Sequence, residues 1–321
     1  MKNLTKILKV VIYIAAALII VVCILFGYRD KPVAELKAKY ALSPSAFVNI
    51  DGMDVHYRDE GNAADSLPIV LIHGTGASLH TFDEWASILR GEHRVVRMDI
   101  PAYGLTGPFP SRNYSISNYV DFIEKFLTAR SIKRCILGGN SLGGQIAWQF
   151  TLKNSDKVDK LILIDAAGYP IVSKSTPIFF TLARTPILNK ILTFITPRSL
   201  VRSSVENVYA DKTKVTEALV DRYFELNLRE GNRQAFVDRI TMPYDTGNVP
   251  LIKTIQQPTL VLWGEEDGLI PLSNAYRFHA DLPNDTLVIL KNMGHVPMEE
   301  NPKESLNAVL DFLSKYSQKD E

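Results

Sequence analysis

Residues 134–153 read RCILGGNSLGGQIAWQFTLK. The opening run, Cys135-Ile136-Leu137, has no polar break, as in a strand covered on both faces. From Leu142 onward the apolar spacing is helical. Between the two, Ser141 stands among Gly138, Gly139, Asn140, Gly143 and Gly144. Gly139-Asn140-Ser141-Leu142-Gly143 fits the nucleophile-elbow pattern G-x-S-x-G, in which a sharp strand-to-helix turn aims the serine hydroxyl outward. The glycines permit that turn because they carry no Cβ to strike the neighbouring strand and helix. The first backbone N–H groups of the helix are left unpaired and face the same space. The pentapeptide arises often by chance, and its place between a strand and a helix gives it weight.

The same alternation extends in both directions. IVLIH (69–73), RVVRMDI (94–100), KLILID (160–165), TLVLWG (259–264) and TLVILK (286–291) read as strands. Helices are predicted around 82–90, 117–130, 141–153, 272–281 and 302–316. Asp51-Gly52 joins two alternating runs into a hairpin at the front. The expected architecture is α/β, a mostly parallel sheet with helices on both faces and an antiparallel edge. Such sheets place ligands at the C-terminal ends of their strands. Residues 170–250 break the pattern. Prolines 170, 177, 186 and 197 cut them into short helices. Ile178, Phe179, Phe180, Leu188, Ile191, Leu192, Phe194 and Ile195 are too apolar to stay wet, which predicts a helical cap over a core formed by 46–169 and 251–321.

The chain has 321 residues and a formal net charge of +1, which argues against a nucleic-acid partner. Val10–Phe26 is free of charge. Extended back to Ile7 it reaches the roughly 20 residues of a membrane-spanning helix. It lacks the short core and small-residue cleavage site of a signal peptide. A single-pass membrane anchor is expected over 1–28, followed by a charged linker at 29–45. Lysines cluster before the span, and the body is expected outside the cytoplasm. Cys23 and Cys135 are too differently placed to pair.

A serine hydroxyl needs a base. His295, in KNMGHVPMEENP, follows the last strand behind a glycine, whereas His56, His80, His93 and His279 fall in edge, surface or helical positions. The imidazole needs a carboxylate to fix its tautomer. Asp267, after the penultimate strand, is the favoured acid, and Asp165, ending LILID, is the rival. The order Ser141, Asp267, His295 then emerges. An oxyanion hole requires two donors. The N–H of Leu142 supplies one, and the HGTGAS loop (73–78) the other, through Thr75, with Gly74 and Gly76 as alternatives. His73 is read as a brace for that loop.

From Phe47 to Tyr316 the chain resembles the α/β-hydrolase superfamily. The likeness rests on VHYRDEG, IVLIHGTGAS, MDIPAYGLTGP, GNSLGG, LILIDAAGYP, LWGEEDGLIP and GHVPMEENP, in that order. Behind its hydrophobic N-terminus the chain is similar to exported or anchored bacterial lipases and esterases. Ala102, in DIPAYG, stands where the family usually has glycine. The resemblance implies an eight-stranded sheet with the cap inserted after the sixth strand. It also implies a serine hydrolase that cleaves carboxylic esters through an acyl-enzyme, with a small-molecule ester or lipid-like substrate and no cofactor. No cysteine/histidine spacing for zinc is present. The alternatives on the same scaffold are a C–C bond hydrolase of dienoic ring-cleavage products and an amidase or aminopeptidase. A non-catalytic binding protein is the alternative from another class.

Overall fold

The structure, a computed structural model, describes residues 2–317. Met1 and residues 318–321, the ends of the segments expected over 1–28 and 251–321, lie outside the described residues. Strands β1 (Ser45–Ile50), β2 (Met53–Gly61), β3 (Ile69–Ile72), β4 (Arg94–Met98), β5 (Cys135–Asn140), β6 (Val158–Ile164), β7 (Thr259–Gly264) and β8 (Asp285–Leu290) form one sheet. Its order is β1-β2-β4-β3-β5-β6-β7-β8. The pairs β1/β2 and β2/β4 are antiparallel, and the rest are parallel. Asp51 and Gly52 both take positive φ, 51° and 81°, which matches the twist of a two-residue hairpin.

Every residue of β3, β5 and β7 is buried, which explains their unbroken apolar sequence. The two faces still alternate. Val70, Ile72, Leu161 and Leu163 pack towards the helices Ile116–Ala129 and Leu142–Lys153, with Phe122, Phe126 and Trp148. Ile69, Leu71, Ile162 and Ile164 pack the other way, onto Trp85, Leu306, Val309 and Phe312 of the helices Asp83–Leu89 and Pro302–Ser317. Full burial of each such side chain contributes roughly 1.5–3 kcal/mol. The eight-stranded, mostly parallel sheet of the α/β-hydrolase fold is therefore built as the sequence implies.

Between β6 and β7 the chain forms the helices Ile178–Arg184, Leu188–Leu192, Arg198–Glu206, Glu217–Asn227 and Asn232–Thr241. Pro177 and Pro197 each stand immediately before a helix. Phe179 and Phe180 meet Phe236 at ring separations of 4.8 and 5.5 Å. Not all the apolar residues expected to be covered are so. Phe179 and Leu192 are buried, whereas Ile178, Leu188, Ile191 and Phe194 remain exposed.

The N-terminus departs further from expectation. Lys2–Phe26 forms one helix, but among the described residues no helix is long and apolar enough to cross a membrane. This overturns the single-pass anchor at 1–28, and with it the placement of the body outside the cytoplasm. The uncharged run Val10–Phe26 has 17 residues and rises only about 26 Å, against about 30 Å of bilayer hydrocarbon. The end of the helix is stitched to the cap instead. Thr196 N donates to Phe26 O, Tyr28 N donates to Phe194 O, and Gly27 bridges Ile195. The segment read as a linker also holds a helix, Val33–Tyr40, which buries Leu36 and Tyr40 against Leu105 and Leu226. Lys31 N donates to Leu228 O, and Asp30 pairs with Arg233 at 2.6 Å.

Candidate active site

The elbow is held by its backbone. Ser141 has φ 55°, a left-handed value unusual for a non-glycine residue. Its N–H donates to Ile164 O, and its carbonyl accepts from Gln145 N and Ala167 N, each at 3.0 Å. The glycines on either side are required by close approach. A Cβ on Gly139 would lie 2.3 Å from the Gly143 carbonyl carbon, and one on Gly143 would lie 2.2 Å from Ile72 O. The start of the helix thus rests directly on the end of β3, and Ser141 lines a cavity.

His295 follows β8 and is buried. Its Nδ1 donates to Asp267 Oδ2 at 2.6 Å. Asp267 Oδ1 accepts from Leu269 N and Ile270 N at 2.8 and 2.9 Å, so the carboxylate is gripped on both oxygens. With Nδ1 committed as donor, the neutral ring presents Nε2 as its basic atom. That atom is buried and has no hydrogen-bond partner. Ser141 and His295 line the same cavity.

The rival acid lies close by in a different state. Asp165, fully buried at the end of β6 with φ 45°, accepts from Gly264 N at 2.9 Å. Burial and the neighbouring Asp267 push its carboxyl well above the usual carboxylate range, so it holds its proton more tightly than an ordinary carboxyl. The structure brings Asp267, rather than Asp165, to the imidazole. Asp165, Asp267 and His295 also form a group of potential metal ligands with donor atoms within 4.8 Å of one another, although His295 Nδ1 and Asp267 Oδ2 are already engaged with each other.

In the 73–78 loop, His73 donates from Nδ1 to Gly74 O at 2.8 Å and accepts from Ile100 N at Nε2 at 3.0 Å. Burial lowers its pKa, so it stays neutral and ties the loop to the end of β4. Thr75, with Gly74 and Gly76, borders the cavity lined by Ser141, and Leu142 borders a second cavity that Ser141 and Thr75 also line. Asp99 is fully buried and accepts from His56 Nδ1, Leu79 N and Leu105 N. It belongs to the frame rather than to the cavity.

Two supporting residues escaped the sequence reading. Asn140 donates from Nδ2 to Ile164 O at 3.2 Å and to His295 O at 2.9 Å, fastening the His295 loop to the elbow. It occupies a variable position of G-x-S-x-G, so the pattern gives it no signal. Glu300 is buried and accepts from Gly294 N and Asp211 N, each at 2.7 Å. His295 N donates to Val208 O at 2.8 Å. The loop carrying His295 is therefore clamped to the cap. The available signal was a glutamate in the apolar stretch after His295.

The cavity shared by Ser141 and His295 has a volume of about 100 Å³. Its roof includes Phe179, Phe180, Val201, Val205 and Phe236, and no Asp, Glu, Lys or Arg lines it.

Comparison with known proteins agrees with this architecture. The alpha/beta hydrolase fold family matches residues 68–302. The chain is 28% identical over 273 residues to the uncharacterized hydrolase YugF of Bacillus subtilis, covering 85% of this chain and 99% of that protein. It is also 28% identical over 278 residues to the 2-hydroxy-6-oxo-6-(2'-aminophenyl)hexa-2,4-dienoic acid hydrolase of Metapseudomonas resinovorans, covering 84% of this chain and 90% of that one. The crystal structure of a membrane phospholipase A, a bacterial virulence factor, superposes with a TM-score of 0.73 at 24% identity, covering 98% of this chain and 99% of that one. This last likeness shows a shared fold. With the sheet, the elbow serine and the family match in agreement, the chain belongs to the alpha/beta hydrolase fold family and is a hydrolase.

Proposed function

We propose that the protein hydrolyses carboxylic esters, with Ser141 as nucleophile, His295 as general base and acid, and Asp267 as the group that orients His295. The observation that carries this is the buried, unpartnered His295 Nε2 bordering the same uncharged cavity as Ser141. In the first half-reaction Ser141 Oγ attacks the carbonyl carbon and His295 Nε2 takes its proton. The oxyanion is met by the N–H groups of Leu142 and Thr75, each such donor being worth about 10²–10³ in rate. The C–O bond breaks, and His295 returns the proton to the departing alcohol. Water then repeats the sequence on the acyl-enzyme and releases the acid.

Neither cavity beside Ser141 has an Asp or Glu in its lining. An amine-bearing peptide substrate would meet no counter-charge there, which favours esters over aminopeptidase substrates. One second reading is favoured by a specific observation. The identity to a dienoic acid hydrolase supports C–C cleavage by the same three residues. A panel of p-nitrophenyl acyl esters, anilides and 2-hydroxy-6-oxo-dienoates separates these possibilities. The expected result is ester turnover that falls about 10⁴-fold or more in Ser141→Ala with the fold retained, and labelling of Ser141 by a fluorophosphonate. A dienoate kcat/KM at least tenfold above that of the best ester would replace ester with C–C cleavage. Failure of the probe to label Ser141 would overturn both.

A further inference from the structure

A second cavity, of about 480 Å³, also adjoins the elbow. It shares Thr75, Ser141, Phe180 and Leu269 with the first and differs from it in charge. Arg184 and Arg239 line it, and no acidic residue does. Arg239 is only partly exposed, and its Nε is buried without an acceptor. Its guanidinium makes no hydrogen bond or ion pair among the described residues. The one acid on its own helix, Asp238, is taken in a two-pronged pair by Arg112, at 2.7 and 2.8 Å. Asp245, the next acid along the chain, accepts from Gly247 N and Gln149 Nε2. Arg184 donates from Nε to Ile240 O at 3.3 Å and likewise has no carboxylate.

Other enclosed arginines have acceptors: Arg229 donates to the Glu230 and Thr106 carbonyls, and three more meet acids. Arg97 meets Glu60 and Asp83, Arg222 meets Glu299, and Arg233 meets Asp30. A guanidinium withdrawn from water without an opposite charge costs stability. Arg239 is such a group, and with the exposed Arg184 at the same cavity and no acid in the lining it forms, beside the residue placed here as the nucleophile, a site whose counter-ion comes from outside the chain. The planar fork of arginine matches carboxylate and phosphate oxygens in pairs.

We infer that this cavity receives an anionic group of the substrate, held by Arg239 and Arg184. The molecule cleaved at Ser141 then carries an apolar group on one side of the scissile ester and a carboxylate or phosphate on the other. This rests on the ester assignment above and narrows it to one substrate class.

The test compares anionic esters with neutral ones of similar length. Decyl hydrogen succinate, carboxymethyl decanoate and 2-(phosphonooxy)ethyl decanoate are set against decyl butyrate and propyl decanoate. The expected result is a kcat/KM at least tenfold higher for one or more anionic esters than for the matching neutral ester. That ratio should fall at least tenfold in Arg239→Gln, chiefly through KM, with part of it restored in Arg239→Lys. The ranking of the carboxymethyl and phosphonooxyethyl decanoates, which both carry the charge on the alcohol side, identifies the anion. A wild-type ratio near one would overturn the inference without reliance on any variant. A high ratio left intact in both Arg239→Gln and Arg184→Gln would overturn the assignment to these arginines. If neutral and anionic esters alike were left uncut, the ester assignment would fail and this inference with it.

Discussion

In the sheet, the residues around Ser141 have almost no freedom. Gly143 rests on Ile72 O, Ser141 is fixed at positive φ by three backbone hydrogen bonds, and Asp267 is held on both oxygens. In the cap, the roof of the uncharged cavity is a set of apolar side chains, Phe179, Val201, Val205 and Phe236 among them, whose shared requirement is bulk. The floor is specified atom by atom and the roof by volume. Changes to the floor should therefore alter the rate on every substrate, and changes to the roof should alter the choice among substrates.

The sharpest way to break that contrast is at the paired acids. Asp267→Asn should lower kcat about 10⁴-fold on all esters, because the amide no longer fixes the imidazole tautomer. Asp165→Asn should cost less than tenfold, since the imidazole is bonded to Asp267, while Asp165 accepts from Gly264 N. Equal losses in steady-state assays would mean that the two carboxyls act as one unit. A smaller effect concerns acid stability. All six histidines lie outside residues 170–250, so histidine-linked acid sensitivity belongs to the core. Burial pushes His80 down to about 4 from an ordinary 6.5, despite Asp99 nearby. Its folded-state pKa is thus depressed. Stability should be complete above pH 6.5 and decline as pH falls towards 4, by on the order of 3 kcal/mol from this group alone. Urea melts followed by the core residues Trp85, Trp148 and Trp263 check this, and His80→Gln should flatten the decline. Smallest is the roof. Val205→Phe should lower the ratio of decanoate to acetate ester kcat/KM about tenfold, the scale of a few misfitted methylene groups. A uniform loss across chain lengths would show that the roof also governs the chemistry.

The same division explains what the amino-acid order could reveal. β3, β5 and β7 were legible because strands buried on both faces are written as uninterrupted apolar runs. The elbow was legible because steric conflict at Gly139 and Gly143 imposes a fixed spacing. Asp267 and His295 followed from their places just after strands. Asn140 and Glu300 were not legible, because each acts through a partner distant in the chain, and Arg239 was not, because the cavity it lines is assembled from segments between residues 75 and 270. The cap was recognised as helical from its prolines, but which of its apolar residues would be covered depended on tertiary packing, and Phe194 stays exposed. At the N-terminus, apolar composition outweighed length in the reading. The contacts of Phe26 and Tyr28 with the cap could not be foreseen from that run.

The clamp between Val208, Asp211, Glu300 and the loop that carries His295 has a consequence for admission. If the lid swung open from this seam, it would drag on the peptide that carries His295 and loosen the imidazole as the doorway widened. Entry from that side would find the machine switched off, with cutting power restored only after the latch had closed. Traffic and turnover would then alternate in time, and leakage of water onto an unready serine would be limited by the same motion that lets cargo in.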